Sequence, residues 1–300
     1  MNRRSGPFDV VLFKRKRTGY LMLGAIAAVL VIIVIVIDHS RTTHTTANSG
    51  QSTEALTPLV PRQLLGGIAA VPFTTNGAAV ALPSALVPLE RIKPAGSSQV
   101  APALETGDKA LIVANLGEFS PLCAIDRWAL LAALSHFGTF SGVREMSSSP
   151  VEPPADIATF TFRTMTFASP YVALQAVETF DRSRDVLQSP SSEDAKVFSH
   201  FDEPPYVKAA GGLPFVDLGG EYLQPGTFPW LDAMDLKGLT RSKILSQMSS
   251  KTSGGALIDI QAAYFTAAIC AIDGERPHAV CSTTGIQVLE DQLGSEPLTK

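Results

Sequence analysis

Gly19 to Ile37, GYLMLGAIAAVLVIIVIVI, is a run of 19 uncharged residues that is apolar almost throughout. As a helix rising about 1.5 Å per residue it spans roughly 28 Å, close to a bilayer core of about 30 Å. The β-branched VIIVIVI would make a poor soluble helix, but lipid offers the backbone no other partners and so enforces one. The run exceeds the ~7–15 apolar residues of a signal peptide, and DHSRTTH after it offers no small-x-small cleavage site. KRKR (Lys14–Arg17) precedes the run and only Arg41 follows soon after. The excess of cations puts the N-terminus in the cytoplasm and residues 38–300 outside it. The pattern predicts a basic cytoplasmic segment 1–18 and a single-pass transmembrane helix 19–37 that anchors the chain in a cell membrane.

Beyond the span the pattern changes. Residues 38–59 are rich in Ser and Thr and cannot bury enough surface to order themselves, which predicts a tether. VPRQLLGGIAAV, from Val60, suits a short helix beginning at Pro61. AGSSQVAPALETGD is a loop by composition. KALIVANL (Lys109–Leu116) is a nearly continuous apolar run, the signature of a strand buried on both faces. In SPLCAIDRWALLAALSHFG, Ser120 suits the N-cap, Pro121 the first turn and Gly138 the C′ position, with Leu122, Ile125, Trp128, Ala129, Ala132 and Phe137 on one apolar face. Aromatic and β-branched residues then predict two strands paired with each other, 158–166 and 171–180. PSSEDAKVFSHF reads as a helix, GGLPFVDLGGEY as a strand with a Gly-Gly turn, and SKILSQMSS and IDIQAAYFTAAICAI as the closing helices. Strands alternating with helices in this order predict an α/β domain over residues 60–290, a mixed sheet flanked by helices, with 291–300 as a tail.

The chain is 45% hydrophobic and 17% charged, which fits a packed core. Of 24 Lys/Arg and 28 Asp/Glu, residues 1–37 hold six and one. The remaining 18 against 27 give the rest a net charge of −9, which argues against a nucleic-acid footprint.

The candidate chemistry is EFSPLCAIDRW, Glu118 to Trp128. A strand end running into a helix start is where a Cys-x-x-Cys pair would sit, since helix-end N–H groups and the macrodipole favour a thiolate there. This stretch, followed by TFTF and SPYV, resembles a thioredoxin-like family, domain of unknown function 929, whose members are membrane-anchored and extracytoplasmic. Glu118, Phe119, Pro121, Cys123, Arg127 and Trp128 match that family's motif, while Ser120 stands where it has its first cysteine. The similarity extends over roughly residues 60–285. It implies a thioredoxin-like fold with Glu118, Pro121, Arg127, Trp128 and Pro214 around the site, Pro214 being either the cis proline beside it or an ordinary trans proline.

Serine cannot form a disulfide, and its hydroxyl needs an adjacent base to attack anything. His136 is sixteen residues along the helix, about 24 Å away, and no G-x-S-x-G elbow is present. Cys123 keeps three readings: an inert buried thiol, a weak monothiol, or a partner of Cys270 or Cys281. A bridge between Cys270 and Cys281 would close a loop of about 12 residues across turn-like Asp-Gly and Arg-Pro, worth roughly 2–3 kcal/mol in the chain-entropy view, and is the favoured pairing. Asp126, Arg127 and Glu118 read either as site residues or as a solvated helix end. Neither a cofactor loop nor metal-ligand spacing is evident. The expectation is an extracytoplasmic thioredoxin-like protein that holds an extended polypeptide rather than catalysing dithiol exchange. Its alternative is a monothiol redox or isomerase-like enzyme working through Cys123.

Overall fold

The structure, a computed structural model, describes residues 57–72, 89–92, 104–204, 206–207, 210–224, 226 and 232–295, all within the unit Leu56–Lys300. The predicted span 19–37 and almost all of the tether lie outside the described residues. In chain order the elements are helix α1 (Arg62–Ala69), strands β1 (Glu90–Arg91), β2 (Glu105–Thr106) and β3 (Lys109–Gly117), and helix α2 (Pro121–Leu134). Strands β4 (Thr139–Ser141), β5 (Arg144–Ser147), β6 (Ala158–Thr161), β7 (Thr166–Ala168) and β8 (Val172–Phe180) follow, then helix α3 (Ser192–Phe201). Strands β9 (Phe215–Leu218) and β10 (Tyr222–Gln224) lead to helices α4 (Arg241–Ser250), α5 (Ser253–Asp273), α6 (His278–Cys281) and α7 (Thr284–Ser295).

The main sheet runs β8-β3-β9-β10-β1, with β3 and β8 parallel and the other neighbours antiparallel. β2 adds a short antiparallel pairing at the start of β3. β3 is the inner strand, and this accounts for its apolar run: Ile112, Ala114 and Leu116 face the large core shared with α2 and α5. A smaller cluster of Ile92, Val207, Phe215 and Leu223 packs against Phe198 and Phe201 of α3. The hairpin from β9 to β10 turns on Gly219 and Gly220, both at φ near +70°, where a side chain would be strained. The domain is thus a mixed sheet flanked by helices, as the order of elements predicted.

One expectation needs correction in the sheet. The segments 158–166 and 171–180 do not pair with each other. β6 pairs with β5, β7 pairs with β4, and β8 is drawn into the main sheet beside β3. The break at Arg163 and Thr164 lets the chain leave one small sheet before entering another. In α2 the single apolar face becomes burial all round, and of its residues only Leu122 is less than fully buried. Pro61 caps α1 from outside rather than opening it, and α7 carries regular structure beyond residue 290, where a tail was expected.

Among the described residues, α5 alone is long and apolar enough to cross a membrane. Its most apolar window is 72% buried in protein and the helix packs against α2, α4 and α7, so its apolarity serves the core. A disulfide joins Cys270, near the end of α5, to Cys281 at the end of α6.

Candidate functional site

The turn from β3 into α2 is built by close approach. A Cβ on Gly117 would stand 2.7 Å from a ring carbon of Phe119 and 3.2 Å from Leu213, so only glycine lets the two meet. The register of β3 on β8 shifts at Gly117, and the Glu118 N–H donates to the Phe180 carbonyl at 2.8 Å. Ser120 Oγ then accepts from the N–H groups of Leu122 and Cys123, each at 3.2 Å, and Pro121 occupies the first turn. Those are two of the donors a helix start leaves unpaired. Replacing Ser120 by Ala is expected to destabilise the domain by about 1–2 kcal/mol, read as a shift in the urea midpoint of the full chain.

Cys123 lies one turn in, fully buried, with Sγ accepting from Gly117 N–H at 3.4 Å. Burial pushes its thiol up to about 11, against the opposing pull of Arg127, Ser120 and the Gly117 N–H. It is free, and both other cysteines are engaged with each other.

Beneath the cysteine, Asp126 and Arg127 are not a solvated helix face. Arg127 is 0% exposed and makes a bidentate pair with Glu178 of β8, Nε to Oε1 at 2.8 Å and Nη2 to Oε2 at 2.5 Å. Burial pulls the guanidinium pKa down, but Glu178 beside it outweighs this and holds Arg127 charged. Glu178 Oε1 also accepts from Phe162 N–H at 3.0 Å. Glu118 is buried and accepts from Thr161 Oγ1 at 2.6 Å; burial raises its pKa, Thr161 opposes that, and Glu178 adds to it. Asp126 accepts from Gln224 at 2.7 Å and from Gln261 at 2.6 Å, tying α2 to β10 and α5. Trp128 donates to the Ala158 carbonyl at 2.9 Å and lies edge-on to Phe160.

Pro214 is buried, follows a cis peptide from Leu213, and immediately precedes β9, whose Phe215 pairs with Asn115 of β3. It therefore stands at the same end of the sheet as the Gly117–Ser120 turn. Outside that turn lies a cleft of about 300 Å³ lined by Phe119, Phe180, Arg184, Gly211 and Leu213. The Arg184 guanidinium sits 4.1 Å over the Phe119 ring and pairs with Glu152 at 2.5 Å. The structure thus gathers Glu118, Pro121, Cys123, Arg127 and Trp128 on one turn and helix with Ser120 as cap, and brings Pro214 to the same sheet end. Cys270 and Cys281 belong to the separate α5–α6 corner. Sequence reasoning missed Glu178, Phe180, Arg184 and Leu213. The signal for Glu178 was a lone charge in the apolar strand VALQAVETF, at a position facing the core.

Residues 106–192 match the family described as Domain of unknown function (DUF929). The match carries the whole stretch from Glu118 to Trp128, and is shorter than the 60–285 expected from the sequence. No curated protein and no solved structure matches the chain.

Proposed function

We propose that this chain, related over residues 106–192 to that family, is a membrane-anchored, extracytoplasmic thioredoxin-like protein that holds an extended polypeptide and performs no dithiol chemistry. The strand order β8-β3-β9-β10 supports the fold reading: β3 leads into the site helix, β8 is parallel to it, and an antiparallel hairpin follows a proline. The anchor rests on the apolar run 19–37. The observation that carries the functional reading is Cys123, fully buried behind a serine cap with its thiol pushed up to about 11. At pH 7.5 such a group is thiolate to the order of 0.1% or less, and the thiolate is the nucleophile. What stays open to a ligand is the neighbouring cleft, with the aromatic faces of Phe119 and Phe180, Leu213, and the Arg184 cation at its edge.

The test uses the full chain in neutral detergent. Iodoacetamide near pH 7.5 is expected to leave Cys123 unmodified until the protein is denatured. A reduced, carboxymethylated polypeptide is expected to bind, and Leu213→Asp to weaken that binding about 10-fold or more. Rapid native alkylation of Cys123 with turnover of a model disulfide would instead favour the monothiol enzyme, and binding indifferent to Leu213→Asp would remove the cleft from the reading.

A further inference from the structure

At the far corner from this turn, α5, α6 and α7 border a second, open pocket of about 420 Å³. Glu275 and His278 line it from the loop after α5 and the start of α6, Ser282 from the end of α6, and Gln287, Glu290 and Asp291 from α7. No Lys or Arg is among these lining residues. Behind them sits Asp273, the last residue of α5, 5% exposed. Its Oδ1 accepts from Arg276 N–H at 3.0 Å, and its Oδ2 has no hydrogen-bond partner among the described residues. The Arg276 Nε donates to the Asp273 backbone carbonyl rather than to the carboxylate, although the guanidinium charge still acts on it. Asp273 feels the charge of Glu275, and Glu290 feels those of Glu275, Asp291 and Asp273, so its carboxylate is coupled to the pocket wall. Glu290 Oε1 is likewise buried and without a partner among the described residues.

We propose that this corner binds an organic cation through its N–H groups, an alkylammonium such as an oligoamine or a lysine side chain. Three carboxylates line this space and a fourth, Asp273, lies behind them at the C-terminus of α5, and each favours positive charge. Burial, with the three neighbouring carboxylates, pushes Glu290 up to about 7, and burial pushes Asp273 up to about 6, so a cation bound here would favour the charged form of both. A single metal ion fits less well, because among the described residues no group of three His, Cys, Asp or Glu is placed to hold one. The acids are spread around a space large enough for a multi-atom ligand, while Ser282 and Gln287 add neutral acceptors. The Cys270–Cys281 disulfide ties α6 to α5 and so fixes Glu275 and His278 opposite α7 before any ligand arrives.

The experiment follows thermal unfolding of the full, oxidised chain in neutral detergent at pH 8 and low salt. Spermidine and an acetylated lysine tripeptide are titrated side by side, with tetramethylammonium and MgCl2 at matched ionic strength as controls. A ligand at roughly a hundredfold excess over its Kd is expected to raise Tm by about 5–10 °C, saturably. The tighter of the two amines identifies the source of the cation. The double variant Glu290→Gln, Asp291→Asn is expected to keep its fold and lose the shift. The proposal is overturned if neither amine raises Tm, if tetramethylammonium or Mg²⁺ does so equally well, or if the double variant responds as the parent does.

Discussion

Replacing Arg127 by Met is expected to lower the unfolding free energy by about 3–5 kcal/mol, the range for removing one partner of a buried ion pair. The size of the effect comes from what is left behind rather than from what is lost. Glu178 is 0% exposed, and without the guanidinium its carboxylate faces Glu118 and the Phe162 N–H with no cation in place. The pair also anchors the site, since it joins the first turns of α2 to β8 directly behind Cys123 and the cleft wall at Phe180. The companion variant Arg127→Met, Glu178→Leu removes both charges. It is expected to recover part of the loss but not all, because Phe162 N–H then stays buried and unpaired, at about 1–3 kcal/mol. Guanidinium denaturation of the full chain with both single variants and the double closes the cycle, and a coupling below about 0.5 kcal/mol would show that the two side chains do not act as a unit.

The helix that carries this pair was legible at both its ends and opaque in its middle. Ser120 and Pro121 announce their roles locally, since a cap needs only the N–H groups two and three residues on. Arg127 announces nothing, because its partner is 51 residues away on a strand that the sequence assigned to the wrong neighbour. Pairing between adjacent segments is a reasonable default, but β8 gains more as the parallel neighbour of a largely apolar inner strand than as the second half of a hairpin with β6. Once β8 lies beside β3, Glu178 is carried inward and a counter-charge from α2 becomes necessary. The same distance hid Gln224 and Gln261, which are unremarkable polar residues until the fold brings both to Asp126. The last helix is legible in the sequence: Ile286, Leu289 and Leu293 repeat at helical spacing and are all buried. Cys270 and Cys281 were legible as a pair because their separation is short and the intervening residues turn easily.

Stability is expected to fall as pH rises from about 5 to 8. Burial pushes Asp126 up to about 7 against the opposing hydrogen bonds of Gln261 and Gln224, and pushes Asp217 up to about 7 against that of Gly220 N–H. A carboxyl raised in the folded state contributes stability that is complete below its unfolded pKa, near 4, and is lost as pH climbs through the folded value. The three units from about 4 to 7, at about 1.4 kcal/mol each, put the full loss on the order of 4 kcal/mol per group, about two-thirds of it above pH 5. Asp202 and Asp273, raised to about 6, and Glu290, raised to about 7, act in the same direction, with solvent screening reducing their share. His136 opposes them: burial lowers it to about 4, so its contribution is present above its unfolded pKa and lost as pH falls below it. Between about 4 and 6.5 it cancels one carboxyl, so the profile is steepest near pH 5, where all the raised carboxyls still act, and eases above about 6 once Asp202 and Asp273 have titrated. Asp126→Asn separates the contributions. Among the described residues Gln224 Oε1 and Gln261 Oε1 are both buried without partners, so a rotated amide offers the new Nδ2 an acceptor and leaves Oδ1 its donor. The variant is therefore expected to equal or exceed the parent in stability at pH 8 and to lose about half of the pH slope, with urea midpoints at pH 5, 6, 7 and 8 as the measurement. A variant that retains the full slope would shift the titration away from Asp126, and one that collapses at every pH would mean that the Asp126 carboxylate, not its shape, holds α2 to β10 and α5.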